Sequence, residues 1–234
     1  MLGYSALDIL NLALSLALVI FSAMVHEVAH GWVAYRLGDA TAKRAGRLTL
    51  NPARHLDPFG SVVLPLLMAV AGWPVFAYAK PVPYNPNNLR NPRTDEVLVA
   101  LAGPASNLLQ ALAGAAVYQL VLSRRLADGG SLVVGGASFW VLRALALYVY
   151  VNLVLMFFNL IPVPPFDGSR IVTAFLPTNL YFRIMKYERQ IMVGLLVVLF
   201  ILSRFFGISI TGWLSDWLFE LLFKPFGTLF SALF

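Results

Sequence analysis

The chain has 234 residues, of which 59% are hydrophobic and 12% charged, about half the charged share of an ordinary soluble domain. With a mean hydropathy of +0.77 and several apolar runs near 20 residues long, it reads as an all-α polytopic membrane protein, because each helical span needs about 20 apolar residues. Disorder and nucleic-acid binding are poor readings of such a chain; the net charge of +6 is read as Lys and Arg kept in loops on one side of a bilayer. The absence of cysteine leaves only histidines and carboxylates to hold a metal.

The apolar stretch from Ala6 to Val25 has no basic leader and runs into His26 and Glu27 without a small-residue cleavage site, so it reads as a mature span and not as a signal peptide. The first helix is predicted over about Leu7 to Leu37, ending near Gly38 as a C-cap. From Lys43 to Asp57, the run Arg47-Leu48-Thr49-Leu50 followed by Asn51-Pro52 predicts a short extended β segment and a turn. Phe59 to Tyr78 is apolar but interrupted by Pro65 and by Gly72-Trp73-Pro74, which predicts a re-entrant hairpin in place of a straight span. Lys80 to Asp95, with Pro81, Pro83, Pro86 and Pro92, is a loop. Further spans are predicted over Val97 to Leu122, Phe139 to Leu160 and Ile191 to about Ile210. In Trp213 to Phe223, Asp216 and Glu220 share one face while Trp213, Leu214, Trp217, Leu218 and Leu221 form the other, an interfacial amphipathic helix stopped at Pro225. No repeat or linker divides the chain, and residues 1–234 read as one domain.

Ionisable groups inside apolar runs are costly and mark function. His26, Glu27 and His30 form His-Glu-Val-Ala-His in the first span. On a helix the two histidines sit about 40° apart, one turn removed, so both imidazoles reach one ion while Glu27 lies beside them. A chance match is a weak explanation at hydrocarbon depth, where three such groups need a compensating partner. A catalytic zinc takes three protein ligands and leaves one position open. Asp167 offers the third ligand: it ends the stretch Asn159-Leu-Ile-Pro-Val-Pro-Pro-Phe-Asp167-Gly168, the only carboxylate between Asp128 and Glu188. Its bland reading is a turn aspartate before glycine. Pro162, Pro164 and Pro165 unwind the backbone before it, which only a buried or wet cavity tolerates at that depth.

These three features, His26 to His30, Ala-Gly103-Pro104-Ala-Ser-Asn107 and Asn159 to Gly168, occur in an order that resembles the site-2 protease family of intramembrane zinc metalloproteases, over about residues 15 to 175. The resemblance implies a three-helix catalytic core, one zinc ion per chain, and transmembrane segments of other proteins as substrates. It implies His26, His30 and Asp167 as zinc ligands and Glu27 as the base toward water. Asn107 and Asn159 match motif asparagines that position substrate or stabilise the oxyanion; their alternatives are a helix-packing residue and a polar cap. His55, the one histidine outside the motif, reads as an interfacial turn residue paired with Asp57, with a cavity-lining role as the alternative, and is left out of the metal set.

Bringing the three motifs to one place requires Phe59 to Tyr78 to leave and return on the same side. The loops then sharing a side carry 12 of the 17 basic residues, which by the positive-inside rule opens the site toward the cytoplasm; the compact cysteine-free chain fits a prokaryotic inner membrane. An exposed strand edge at Leu48 to Leu50 would hold an extended substrate by strand addition. A metal-ion transporter and a non-cleaving membrane chaperone are the competing readings. The far halves of the spans lack a transporter's polar path, and an intact Glu27 argues against loss of catalysis.

Overall fold

A computed structural model describes residues 6–63, 66–67, 80–127 and 136–207. The expected hairpin beyond Val63, apart from residues 66–67, and the amphipathic helix at Trp213 to Phe223 lie outside the described residues. The helices are α1 (Ala6–Arg36), α2 (Thr41–Arg44), α3 (Pro92–Ala127), α4 (Ala137–Asn159), α5 (Asp167–Thr173), α6 (Thr178–Lys186) and α7 (Glu188–Phe206). They fall into two compact units, Met1–Asn159 and Leu160–Phe234.

In the first unit, three helices among the described residues are long and apolar enough to cross a membrane: Ile9–Arg36 in α1, Pro92–Arg125 in α3 and Ala137–Asn159 in α4. Large apolar side chains such as Leu109 and Leu112 on α3 point outward, as they do when the solvent is lipid. The inward faces carry small residues. Ala100, Ala111 and Ala146 are buried, and a Cβ on Gly114 would lie 3.0 Å from the Tyr148 ring and 3.1 Å from Val149, the close approach that small residues allow between membrane helices. Cross-helix contacts give the directions: His26 meets Asn107 while His30 meets Val99, so α3 runs antiparallel to α1, and Asn107 meets Asn152 while Gln110 meets Tyr148, so α4 runs antiparallel to α3.

Gly38 ends α1 as its sequence predicts. At φ +118° it lets the Gly38 N–H reach the Tyr35 carbonyl (3.3 Å) and the Asp39 N–H reach that of Ala34 (2.9 Å), the paired bonds of a Schellman cap. Asp39 then ties this end to the loop before α3. Its buried carboxylate accepts from Thr41 N–H (3.0 Å), Thr41 Oγ1 (2.5 Å), Asn85 N–H (2.7 Å) and Asn88 Nδ2 (2.8 Å). Burial pushes this carboxyl up, but the hydrogen bonds from Asn88, Thr41 and Asn85 together outweigh it and hold it below the ordinary carboxylate value.

The expected β segment is not formed: no strand occurs among the described residues. The Leu48-Thr49-Leu50 alternation is used otherwise. Leu48 lies against Gly31 of α1, the Thr49 carbonyl accepts from His55 Nε2 (2.7 Å), and Leu50 is exposed. The Asn51 side chain accepts from Ala53 N–H (3.0 Å) and starts the 3-10 turn Pro52–Arg54, while Arg47 donates to the Lys80 and Pro81 carbonyls (2.7 and 3.3 Å). These side-chain bonds take the backbone away from a ladder. A π-helical turn, Pro58–Val63, follows. Lys80 N–H donates to the His55 carbonyl (2.8 Å) and Arg90 N–H to that of Leu37 (3.1 Å), so the flanks of the stretch between 56 and 79 meet beside the end of α1.

In the second unit the chain from Leu160 folds back before α5. The Phe166 N–H donates to the Val163 carbonyl (3.0 Å) and the Ser169 N–H to that of Phe166 (3.0 Å). A Cβ on Gly168 would fall on the Leu160 carbonyl, so this turn demands glycine. Arg170 of α5 pairs with Glu188 of α7 at 3.3 Å.

Candidate metal centre

The turn of α1 from His26 to His30 faces α3. Both histidines are buried, their ring centroids 4.6 Å apart and the planes at 85°, and their Nε2 atoms are 2.9 Å apart. His30 Nδ1 lies 2.6 Å from the Val99 carbonyl, which can only accept, so Nδ1 carries the proton and Nε2 the lone pair. For His26 the same conclusion follows through two amides. Asn152 Nδ2 donates to the Tyr148 carbonyl (2.9 Å) and to Ser22 Oγ (3.0 Å), which turns Asn152 Oδ1 toward Asn107 Nδ2 (2.9 Å). Asn107 Oδ1 therefore receives the Nδ1–H of His26 (2.6 Å).

Two imidazole lone pairs thus converge on one point, where like partial charges repel unless an electrophile lies between them. That donor set suits a divalent cation, and the engagement of each remote nitrogen by an oxygen is the usual support of a metal-ligating histidine. The backbone leaves room on the α3 side: a Cβ on Gly103 would fall on both imidazoles. One residue on, Pro104 lies inside α3 and has no N–H to give the Ala100 carbonyl.

Glu27 stands next to the pair on α1, half-buried. Its Oε2 accepts from the Val82 backbone N–H at 2.7 Å, which fixes the carboxylate and leaves Oε1 to exchange a proton. Val82 itself is buried; its side chain and that of Leu48 flank Gly31, where a Cβ would come within 2.7 Å of each.

Of the residues singled out from sequence, the first unit brings together His26, His30, Glu27 and Asn107. Asn107 is engaged at both ends of its amide, by His26 at Oδ1 and by Asn152 at Nδ2, so it holds a histidine in place. Asn159 donates to the Leu155 carbonyl one turn back (2.9 Å). Asp167 is the first residue of α5 in the second unit. His55 is buried but bonds Thr49, not Asp57; Asp57 accepts from Gly60 N–H (2.7 Å).

A family model for peptidase family M50 matches residues 13–202. The chain belongs to peptidase family M50. With the family and the three apolar helices together, it is an integral membrane protein and an enzyme of the metalloprotease class. Among curated relatives, "Putative zinc metalloprotease YwhC" of Bacillus subtilis is 40% identical over 180 residues, 77% of each chain. "Putative zinc metalloprotease Rip2" of Mycolicibacterium smegmatis is 30% identical over 204 residues, 87% of this chain and 69% of that one. Rip2 of Mycobacterium tuberculosis is 29% identical over 203 residues, 86% and 70% of the two chains. No solved structure matches significantly.

In this M50 peptidase the sequence reading missed Ser22, Val82, Val99 and Asn152. Val82 and Val99 act through backbone groups and leave no side-chain signal. Asn152 did leave one: it is a polar residue inside the strongly apolar 23-residue α4, and such a residue needs an interhelical partner.

Proposed function

We propose that this M50 peptidase is an intramembrane endopeptidase that holds one zinc ion on His26, His30 and Asp167 and hydrolyses peptide bonds in or near transmembrane segments of other proteins. The observation that carries the reading is the pair of inward Nε2 lone pairs, each fixed by a bond at the opposite ring nitrogen. Zinc is the metal named for the curated relatives, and it would supply Lewis acidity together with a water pKa near about 7. Around it this chain's own residues do the rest. Glu27, oriented by Val82 N–H, takes the proton of the attacking water on Oε1 and passes it to the leaving amine. Asn159, at the end of α4, is assigned to the substrate or its developing oxyanion. The whole chain acts as one membrane metalloprotease domain.

Orientation follows from charge. The basic side chains from Arg36 to Arg93, up to the start of α3, and those from Arg170 to Arg189 make up 12 of 17, which supports a site opening to the cytoplasmic face of the membrane, here assigned as a prokaryotic inner membrane. The lipid bilayer and transmembrane substrates are its partners.

The test is cleavage of a panel of synthetic transmembrane substrates by purified protein in liposomes, comparing wild type with Glu27→Gln while zinc is quantified. Cleavage by wild type, lost in Glu27→Gln with about one zinc per chain retained, is the expected result. Zinc missing from both proteins, or cleavage undiminished in the variant, overturns the reading.

A further inference from the structure

We propose that Asn152 is a positioning residue of the metal centre: acting through Asn107, it decides which nitrogen of His26 faces the ion. The inference rests on the zinc reading above. An isolated asparagine beside His26 is ambivalent, because rotation of its amide by half a turn exchanges oxygen for NH2. Asn107 Oδ1 toward His26 gives the Nδ1–H tautomer, with the Nε2 lone pair directed at the metal position. Asn107 Nδ2 in the same place would ask His26 Nδ1 to accept, moving the proton to Nε2 and blocking the ligand.

The structure removes that choice from outside the site. The Tyr148 carbonyl cannot donate, so Asn152 Nδ2 must face it. A second Nδ2 bond, to Ser22 Oγ of α1, leaves only Asn152 Oδ1 for Asn107. The Asn107 amide is then set, and with it His26. Ser22, Asn107 and Asn152 are all fully buried, so water does not compete for these bonds. The direction of each bond descends from one main-chain carbonyl in α4, through α3, to the ligand in α1. His30 needs no such relay, since its Nδ1 rests directly on a carbonyl.

The test uses the full chain in detergent. Asn152→Leu keeps the volume and removes the acceptor for Asn107 Nδ2. Zinc affinity, from chelator competition, is expected to fall roughly 10- to 100-fold, the usual loss for an outer partner of a ligand. In the zinc-free protein, nitrogen NMR of labelled histidine, with His26 assigned by difference against His30→Gln and His55→Gln, is expected to show Nδ1–H in wild type and a gain of Nε2–H in the variant.

Asn107→Asp supplies the rescue. A carboxylate offers an oxygen to His26 whichever way it turns, so adding Asn152→Leu to Asn107→Asp is expected to change zinc affinity less than about two-fold. A role in helix packing alone would weaken both backgrounds equally. Should Asn152→Leu not fold, Asn152→Asp retains an acceptor for Asn107 and loses the donors, and it is expected to keep the Nδ1–H tautomer. An unchanged tautomer in Asn152→Leu, an equal penalty in both backgrounds, or a shift to Nε2–H in Asn152→Asp overturns the relay. Wild type that binds no zinc refutes the metal reading instead, while the tautomer measurement still judges Asn152.

Discussion

The first unit holds two buried polar clusters built on opposite principles. At the end of α1, Asp39 gathers four donors onto one carboxylate; nothing in it is left to react. Two to three turns before that end, Asn152 of α4 and Asn107 of α3 pass their bonds on to His26 of α1, so that its Nδ1 carries the proton and its Nε2 faces His30. The first arrangement fixes a loop, whereas the second fixes the tautomer of the proposed ligand His26. Burial and hydrogen-bond density alone do not separate a structural cluster from a functional one; the direction in which donors and acceptors run out does.

The contrast predicts different losses at the two places. The largest effect is expected from His30→Ala, which leaves His26 without its partner donor and should reduce zinc affinity by more than about a hundred-fold, as chelator competition would read. Gly103→Ala comes next: its methyl falls on both imidazoles and should cost at least about ten-fold in zinc affinity. Retention of full affinity there would mean the α1–α3 spacing is softer than the structure has it. Asp39→Ala should do the reverse. Four donors lose a buried charged acceptor, so stability measured by chemical unfolding in mixed micelles should fall by about 3 kcal/mol while zinc affinity of the folded protein stays within about two-fold. A proportionate loss of zinc affinity would break the distinction drawn between the clusters.

The smallest effect is on pH dependence. Because the folded Asp39 carboxyl lies below its ordinary value of 3.8, its contribution to stability is fully present above that value and is lost as pH falls through the lower folded one. The stability gap between wild type and Asp39→Asn should therefore be constant near neutral pH and narrow only in acid. A gap that closes above about pH 5 would point to another group.

Much of this was legible in the sequence. The three apolar helices were marked by hydropathy, and the predicted ends at Gly38 and near Leu160 lie within two residues of those observed, while α3 starts at Pro92, inside the stretch read as a loop, and runs to Ala127, beyond the predicted Leu122. The His26, Glu27 and His30 group was visible because its spacing is a property of one helix. Asn107 was found, but its bond to His26 was not foreseen: that bond depends on which helix lies behind Asn107, and that partner, Asn152, is 45 residues away. The β segment failed for a related reason. Alternation at Leu48-Thr49-Leu50 is a local signal, overridden by Arg47 reaching the carbonyls of residues 80 and 81 and by the Asn51 cap.

The bond from Val82 to Glu27 has a consequence for genetics. The donor that orients the Glu27 carboxylate is a main-chain amide in the run Pro81-Val82-Pro83, so nineteen of the twenty amino acids present the same N–H at that position. An alanine or cysteine scan is therefore blind to it, and the segment will look replaceable while contributing the atom that fixes the Glu27 carboxylate. Only proline at 82, or an ester in place of that amide, removes the hydrogen and exposes the dependence.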